Sequence, residues 1–153
     1  MEAIIELKDV AKEYNDGVVA LHDLNMIVRE REFISIVGRS GSGKTTLIKM
    51  MIGEERPTSG KVVINGFKLN DIKRSKIPYF RRKIGVVFQD FKLLQKRTVA
   101  ENIAFALMVL GKPRAEIHDK VPKVLSLVGL SGKGSRFPLE LSGGEQQRVA
   151  IAR

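Results

Sequence analysis

The chain has 153 residues, enough for a domain with a buried core, and its 43% hydrophobic and 29% charged content is that of a water-soluble globular protein. No apolar run approaches the ~20 residues of a membrane-spanning helix. There is no cysteine for a disulfide or a thiolate metal site, and the acidic start Met1-Glu2-Ala3-Ile4-Ile5-Glu6 is unlike a signal peptide, so a cytosolic setting fits. The net charge is +10 and is unevenly placed. Ten basic residues fall between Lys68 and Arg97 against only Asp71 and Asp90. Such a stripe suits nucleic acid or an anionic membrane surface, unless it is simply a solvated face.

Alternation of apolar and polar residues predicts strands over 4–8 and 24–28, the second with Leu24, Met26 and Val28 on one side. Between them Asn15-Asp16-Gly17 is a turn signal, with Tyr14 just before it. Phe33-Ile34-Ser35-Ile36-Val37 reads as a short buried strand, and Thr46 to Ile52 as a helix with Leu47, Ile48 and Met51 on one face, closed by Gly53. The stretch joining them is Gly38-Arg39-Ser40-Gly41-Ser42-Gly43-Lys44-Thr45. Strand, glycine-rich turn and helix form the setting that the G-x-x-x-x-G-K-[ST] pattern needs. The glycines let backbone N–H groups converge on an anion, and the helix start adds its positive dipole end. Lys44 then reaches the β- and γ-phosphates and the Thr45 hydroxyl ligates Mg²⁺, so the chain is expected to bind a nucleoside triphosphate.

Further on, Lys61-Val62-Val63-Ile64 followed by Asn65-Gly66 predicts a second hairpin, and Lys83 to Phe88 another buried strand ending in Gln89-Asp90. Thr98 and Glu101 form a capping box for a helix carrying Ile103, Leu107 and Leu110. Gly111-Lys112-Pro113 breaks it. A second helix is expected from about Ala115 to Val128, with Ile117, Val121, Val124, Leu125 and Val128 on its apolar stripe, Pro122 kinking or delaying it and Gly129 ending it. Ser142 and Glu145 form another capping box, opening a helix with its body at Gln146 to Arg153. Two glycines, Gly143 and Gly144, cost roughly 1 kcal/mol each inside a helix compared with alanine. They suit close approach of a ligand to bare N–H groups.

Gly38–Thr45, Gln89 after a strand, and Leu141-Ser142-Gly143-Gly144-Glu145-Gln146-Gln147-Arg148, in this order, resemble the nucleotide-binding domain of ABC ATPases. The stretches Ile77 to Phe91 and Thr98 to Leu107, and Glu145 where many of these proteins have Gln, are similar to the cell-division ATP-binding subfamily. The resemblance implies an α/β P-loop NTPase (ABC ATPase) core with an N-terminal antiparallel β-subdomain over 1–90. A helical subdomain would follow over 91–153, with the fold incomplete at the C-terminus.

The resemblance also implies roles. Tyr14 would stack on adenine. Gly38, Arg39, Ser40, Gly41, Ser42, Gly43, Lys44, Thr45 and Thr46 would cradle ATP, with Mg²⁺ on Thr45. Gln89 would contact Mg²⁺ or the attacking water and sense the membrane partner; a Mg²⁺-holding role for Asp90 is the competing reading. Ser142, Gly143, Gly144 and Glu145 would close on the γ-phosphate of ATP held by a second copy, giving a homodimer through an ATP sandwich. Lys44, Gln89 and Ser142 are the expected catalytic residues.

The implied partner is a transmembrane FtsX-like permease subunit, with the protein peripheral on the cytoplasmic side of the cell membrane and its basic stripe facing anionic lipid. An exporter or lipoprotein-release ATPase, or a soluble ABC protein on nucleic acid, is the alternative; no specific nucleic acid is expected. Family members continue into a strand ending in Asp-Glu and a switch histidine. The chain is therefore expected to be an N-terminal portion that binds ATP but hydrolyses it negligibly alone. Arg31 stands where the family usually has Gly in a turn. His22 and His118 have no partner pattern and are expected at the surface.

Overall fold

The computed structural model describes residues 2–153, which form two compact units, one up to Ile84 and one from Gly85 to Arg153.

The first unit is built on an antiparallel sheet. Strand β1 (Ala3–Glu13) pairs with β2 (Val19–Arg29) and, on its other edge, with β3 (Ser59–Ile64), which turns into the short β4 (Phe67–Lys68). The spatial order is β2-β1-β3-β4. Both strands of the first hairpin run past their expected bounds. Irregularities in their register accompany positive φ at Asp9 (49°) and Asp23 (44°), as expected where a bulge adds a residue. The Asn15-Asp16-Gly17 turn closes with the Tyr14 N–H donating to the Val18 carbonyl at 3.0 Å. The second turn takes φ of 46° at Asn65 and 78° at Gly66, the mirror-image geometry preferred by two-residue hairpins.

Helix α1 (Lys44–Met51) buries Leu47 and Met50 among Leu7, Val10, Val62, Ile64, Leu69, Ile72 and Phe80. Of the expected face, Leu47 is buried and Met51 is half-buried against this core, but Ile48 is not and Met50 is. Ile48 is 41% exposed while Met50 is fully buried, because the helix begins at Lys44 and its sheet-facing line runs through i and i+3. Gly53, at φ 70°, ends it as expected. A 3₁₀ turn (Arg74–Lys76) leads into α2 (Ile77–Arg81), pinned by the buried Phe80.

Two predicted strands are not formed. Residues 33–37 and 84–88 are irregular, with Phe33 94%, Val37 86% and Val87 50% exposed. A strand is stabilised by a laddered neighbour and cross-strand packing, and no described strand pairs with either segment. Arg31, in the turn leaving β2, has φ 65°, a conformation that glycine adopts at lower cost.

The second unit is helical: α3 (Val99–Val109), α4 (Arg114–Leu127) and α5 (Gly143–Ala152) surround Leu93, Ile103, Val121, Leu125, Leu130, Leu141 and Val149. Both predicted capping boxes are present. Leu110, expected on the apolar stripe of α3, is instead 49% exposed at the helix C-cap. Pro122 lies inside α4 and Gly129, at φ 67°, follows its end. Helix α5 starts at Gly143, so both glycines fall in its first turn. No described helix is long and apolar enough to cross a membrane.

Candidate functional site

In the first unit, an open cavity of about 380 Å³ is lined by Tyr14, by Val18, Val19 and Ala20 at the start of β2, and by Ser40 to Thr46. Its floor is the start of α1. No side chain caps that helix, and the first N–H groups of any helix lack intrahelical acceptors, so these amides are available to an anion. The Lys44 ammonium folds back over the loop, donating to the carbonyls of Gly38 (2.8 Å) and Arg39 (2.6 Å) and to Ser42 Oγ (3.2 Å). The loop is thereby wrapped around a cation whose acceptors are neutral and solvent-facing. A phosphate oxygen would bind it more strongly, since hydrogen bonds between ions exceed those to neutral acceptors.

Gly43 cannot be replaced without moving the backbone. It has φ 83°, and an added Cβ would lie 2.2 Å from the Ala20 carbonyl oxygen and 2.8 Å from Leu21 Cδ2. The loop is therefore pressed onto β2 through a glycine. Gly38 is tight against Ser42 Oγ, whereas Gly41 at φ 80° faces open space. Thr45 is exposed at the cavity edge.

Tyr14 is half-buried, with its hydroxyl 3.3 Å from Thr46 Oγ1. The Lys12 ammonium lies 5.0 Å from the ring centroid and pairs with Glu55 at 3.0 Å. Neither the Tyr14–Thr46 contact nor the lining by Val18, Val19 and Ala20 could be read from a motif. Both follow from the hairpin placing its turn beside α1.

The remaining candidates lie in the second unit. Gln89 is exposed in a turn. Asp90 pairs with Lys92 at 2.6 Å, and Phe91 and Lys92 follow with φ of 57° and 48°. No group of three or more metal-ligating His, Cys, Asp or Glu side chains exists among the described residues.

Ser142 accepts from the Glu145 N–H at 3.4 Å, and the Glu145 carboxylate accepts from the Ser142 N–H at 2.9 Å. Glu145 is also held by Lys133, a pairing across twelve residues that local pattern does not reveal. The Lys133 ammonium, and then the Ser142 N–H, lower the Glu145 pKa to about 2. Gly143 and Gly144 differ from Gly43. Neither has positive φ, and an added Cβ meets nothing at Gly143 and only Arg148 Nη1 at 3.9 Å at Gly144. The fold of this unit would accept alanine at both.

Residues 21–153 match the ABC transporter family. The cell division ATP-binding protein FtsE of Bacillus subtilis is 54% identical over 150 residues, covering 98% of this chain and 66% of that protein. FtsE of Streptococcus pneumoniae serotype 2 (strain D39) is 50% identical over 151 residues, covering 99% and 66%. The chain thus spans just under two thirds of the length of these relatives. An ATP-binding cassette solved as a dimer in a post-hydrolysis state with ADP and Pi superposes with a TM-score of 0.84 at 38% identity, over 97% of this chain and 67% of that one. With the family match covering residues 21–153 and identities of this size over nearly the whole chain, the chain belongs to the ABC transporter family.

Proposed function

We propose that the chain is the ATP-binding part of an FtsE-like ABC ATPase subunit that works with a transmembrane, FtsX-like permease in cell division. ATP would lie in the cavity of the first unit, with adenine on Tyr14 and the triphosphate on the amides of Gly38 to Thr46. Lys44 would exchange its loop carbonyls for β- and γ-phosphate oxygens. Thr45 would hold Mg²⁺ together with the phosphates, in keeping with the few protein ligands Mg²⁺ usually takes. The metal, when bound, supplies charge neutralisation on the phosphates.

Residues 91–153 would act as the helical subdomain. Its Ser142, Gly143, Gly144 and Glu145 would face the γ-phosphate of ATP held by a second copy. The protein would then sit at the cytoplasmic side of the membrane through its permease. In that arrangement Lys44 stabilises charge on the transferred phosphoryl group, Gln89 orients the attacking water, and Ser142 completes the anion's surroundings from across the dimer.

The observation that carries this reading is the contrast among the glycines. Gly43 is demanded by the chain's own packing, while Gly143 and Gly144 are not. Glycine where the fold would accept a side chain points to something that approaches from outside. The test is ATP-dependent association of the protein, followed by analytical ultracentrifugation with ATP and Mg²⁺. The wild type pairs, Lys44→Ala does not, and Gly144→Val stays monomeric while ATP affinity in the monomer is unchanged. Pairing by Gly144→Val equal to wild type would contradict the proposed second-copy contact.

A further inference from the structure

We propose that the segment from Lys68 to Lys83 is a docking surface for an anionic lipid bilayer. The segment is amphipathic in an unusual way. Leu69, Ile72 and Phe80 are buried in the core of the first unit, at 1%, 9% and 0% exposure. Lys68, Lys73, Arg74, Lys76, Arg81, Arg82 and Lys83 are all exposed, against the single carboxylate of Asp71.

Arg81 is engaged, donating to the carbonyls of Ile52 (2.9 Å) and Gly53 (3.4 Å) at the end of α1. Among the described residues none of the other six forms an ion pair with a carboxylate. An ordinary solvated face looks different, as α4 of the same chain demonstrates. There Glu116 takes both Lys112 and Lys120, and Asp119 takes Lys123. Unpaired like charges on one short segment repel one another, which an opposing charged surface relieves.

Tyr79 selects the kind of surface. It is 57% exposed, with the Lys76 ammonium 5.6 Å and the Arg82 guanidinium 5.2 Å from its ring centroid. An amphipathic ring among cations suits the headgroup layer, where Tyr and Trp concentrate and each Lys or Arg gains from anionic lipid. Single-stranded nucleic acid needs an aromatic face free for base stacking. Tyr79 is the one exposed aromatic of the segment, and its ring already carries two cations. None of these residues lines the nucleotide cavity, so the surface stands or falls independently of ATP binding.

The test uses the purified protein without any permease, co-sedimented with vesicles of phosphatidylcholine alone or of phosphatidylcholine with phosphatidylglycerol, and with an RNA oligomer as competitor. Binding is expected only to phosphatidylglycerol vesicles and is expected to weaken with salt. The triple change Lys73→Gln, Arg74→Gln and Lys76→Gln is expected to lower partitioning on the order of a hundredfold, with ATP binding intact as the measure of folding. The pair Arg82→Gln and Lys83→Gln is an independent second variant, expected to weaken binding by on the order of tenfold.

A triple change of equal charge on α4, Lys112→Gln, Lys120→Gln and Lys123→Gln, is expected to leave binding within a few-fold. Equal binding to neutral vesicles, an α4 variant as weak as the segment variant, or displacement from vesicles by RNA would each overturn the proposal.

Discussion

Glu145 takes three partners at once: the Lys133 ammonium, the Ser142 N–H and the Ser142 hydroxyl, which donates to its carboxylate at 3.1 Å. These interactions favour the ionised form and hold its pKa at about 2, below the ordinary 4.5. The stabilisation is therefore complete above the ordinary value and is lost as pH falls from 4.5 through about 2. Glu145→Gln separates charge from capping, because Gln still satisfies a capping box but cannot pair with Lys133. In urea titrations the variant is expected to be less stable than wild type at neutral pH, with the difference shrinking as pH drops through that window. A difference independent of pH would show that the charge contributes nothing. The capping box itself was legible in the sequence. The Lys133 partner was not, because it is brought in by the loop between α4 and α5 rather than by helical spacing.

At the scale of elements, the second unit depends on one buried polar residue that pattern reading passed over. Asn102 is fully buried on α3 between Val99 and Ile103. Its amide donates to the carbonyls of Leu94 (3.1 Å), Arg97 (3.1 Å) and Thr98 (2.9 Å), and its oxygen accepts from the Leu94 N–H at 2.8 Å. It ties the loop entering α3 to the helix start. Asn102→Ala is expected to cost roughly 2–4 kcal/mol by leaving buried backbone groups without partners. Asn102→Asp is expected to be worse, since a carboxylate would face three carbonyls. Thermal melts of both variants check the order; Asp equal to wild type would contradict it.

Hairpins, caps and helix ends were readable from sequence because a few adjacent residues decide them: Asn65-Gly66, Thr98 with Glu101, Gly53, Gly129. The segments at 33–37 and 84–88 were misread for the converse reason. Their β-branched residues record a preference for burial, but a ladder depends on a neighbour that no local pattern specifies. The Gly38–Thr45 pattern was legible because it is a run of fixed residue types in fixed order. The rest of its cavity, from Val18 to Ala20, was not, because those residues contribute position rather than chemistry.

For the whole molecule, the two units carry different parts of the proposed function. The first holds the Tyr14 ring and the Lys44 loop around one cavity; the second presents Gln89 and the helix start at Ser142. In the proposed site of the first unit, base and phosphates would be gripped by different groups. Calorimetric titration with ATP and with inorganic tripolyphosphate separates them. Lys44→Ala is expected to weaken both ligands by about tenfold or more, the loss of charged hydrogen bonds. Tyr14→Ala is expected to weaken ATP by roughly 5- to 150-fold, the range of base stacking on an aromatic ring, and to leave tripolyphosphate unchanged. Undiminished ATP affinity in Lys44→Ala, or an equal loss of both ligands in Tyr14→Ala, would contradict the assignment of this cavity to ATP.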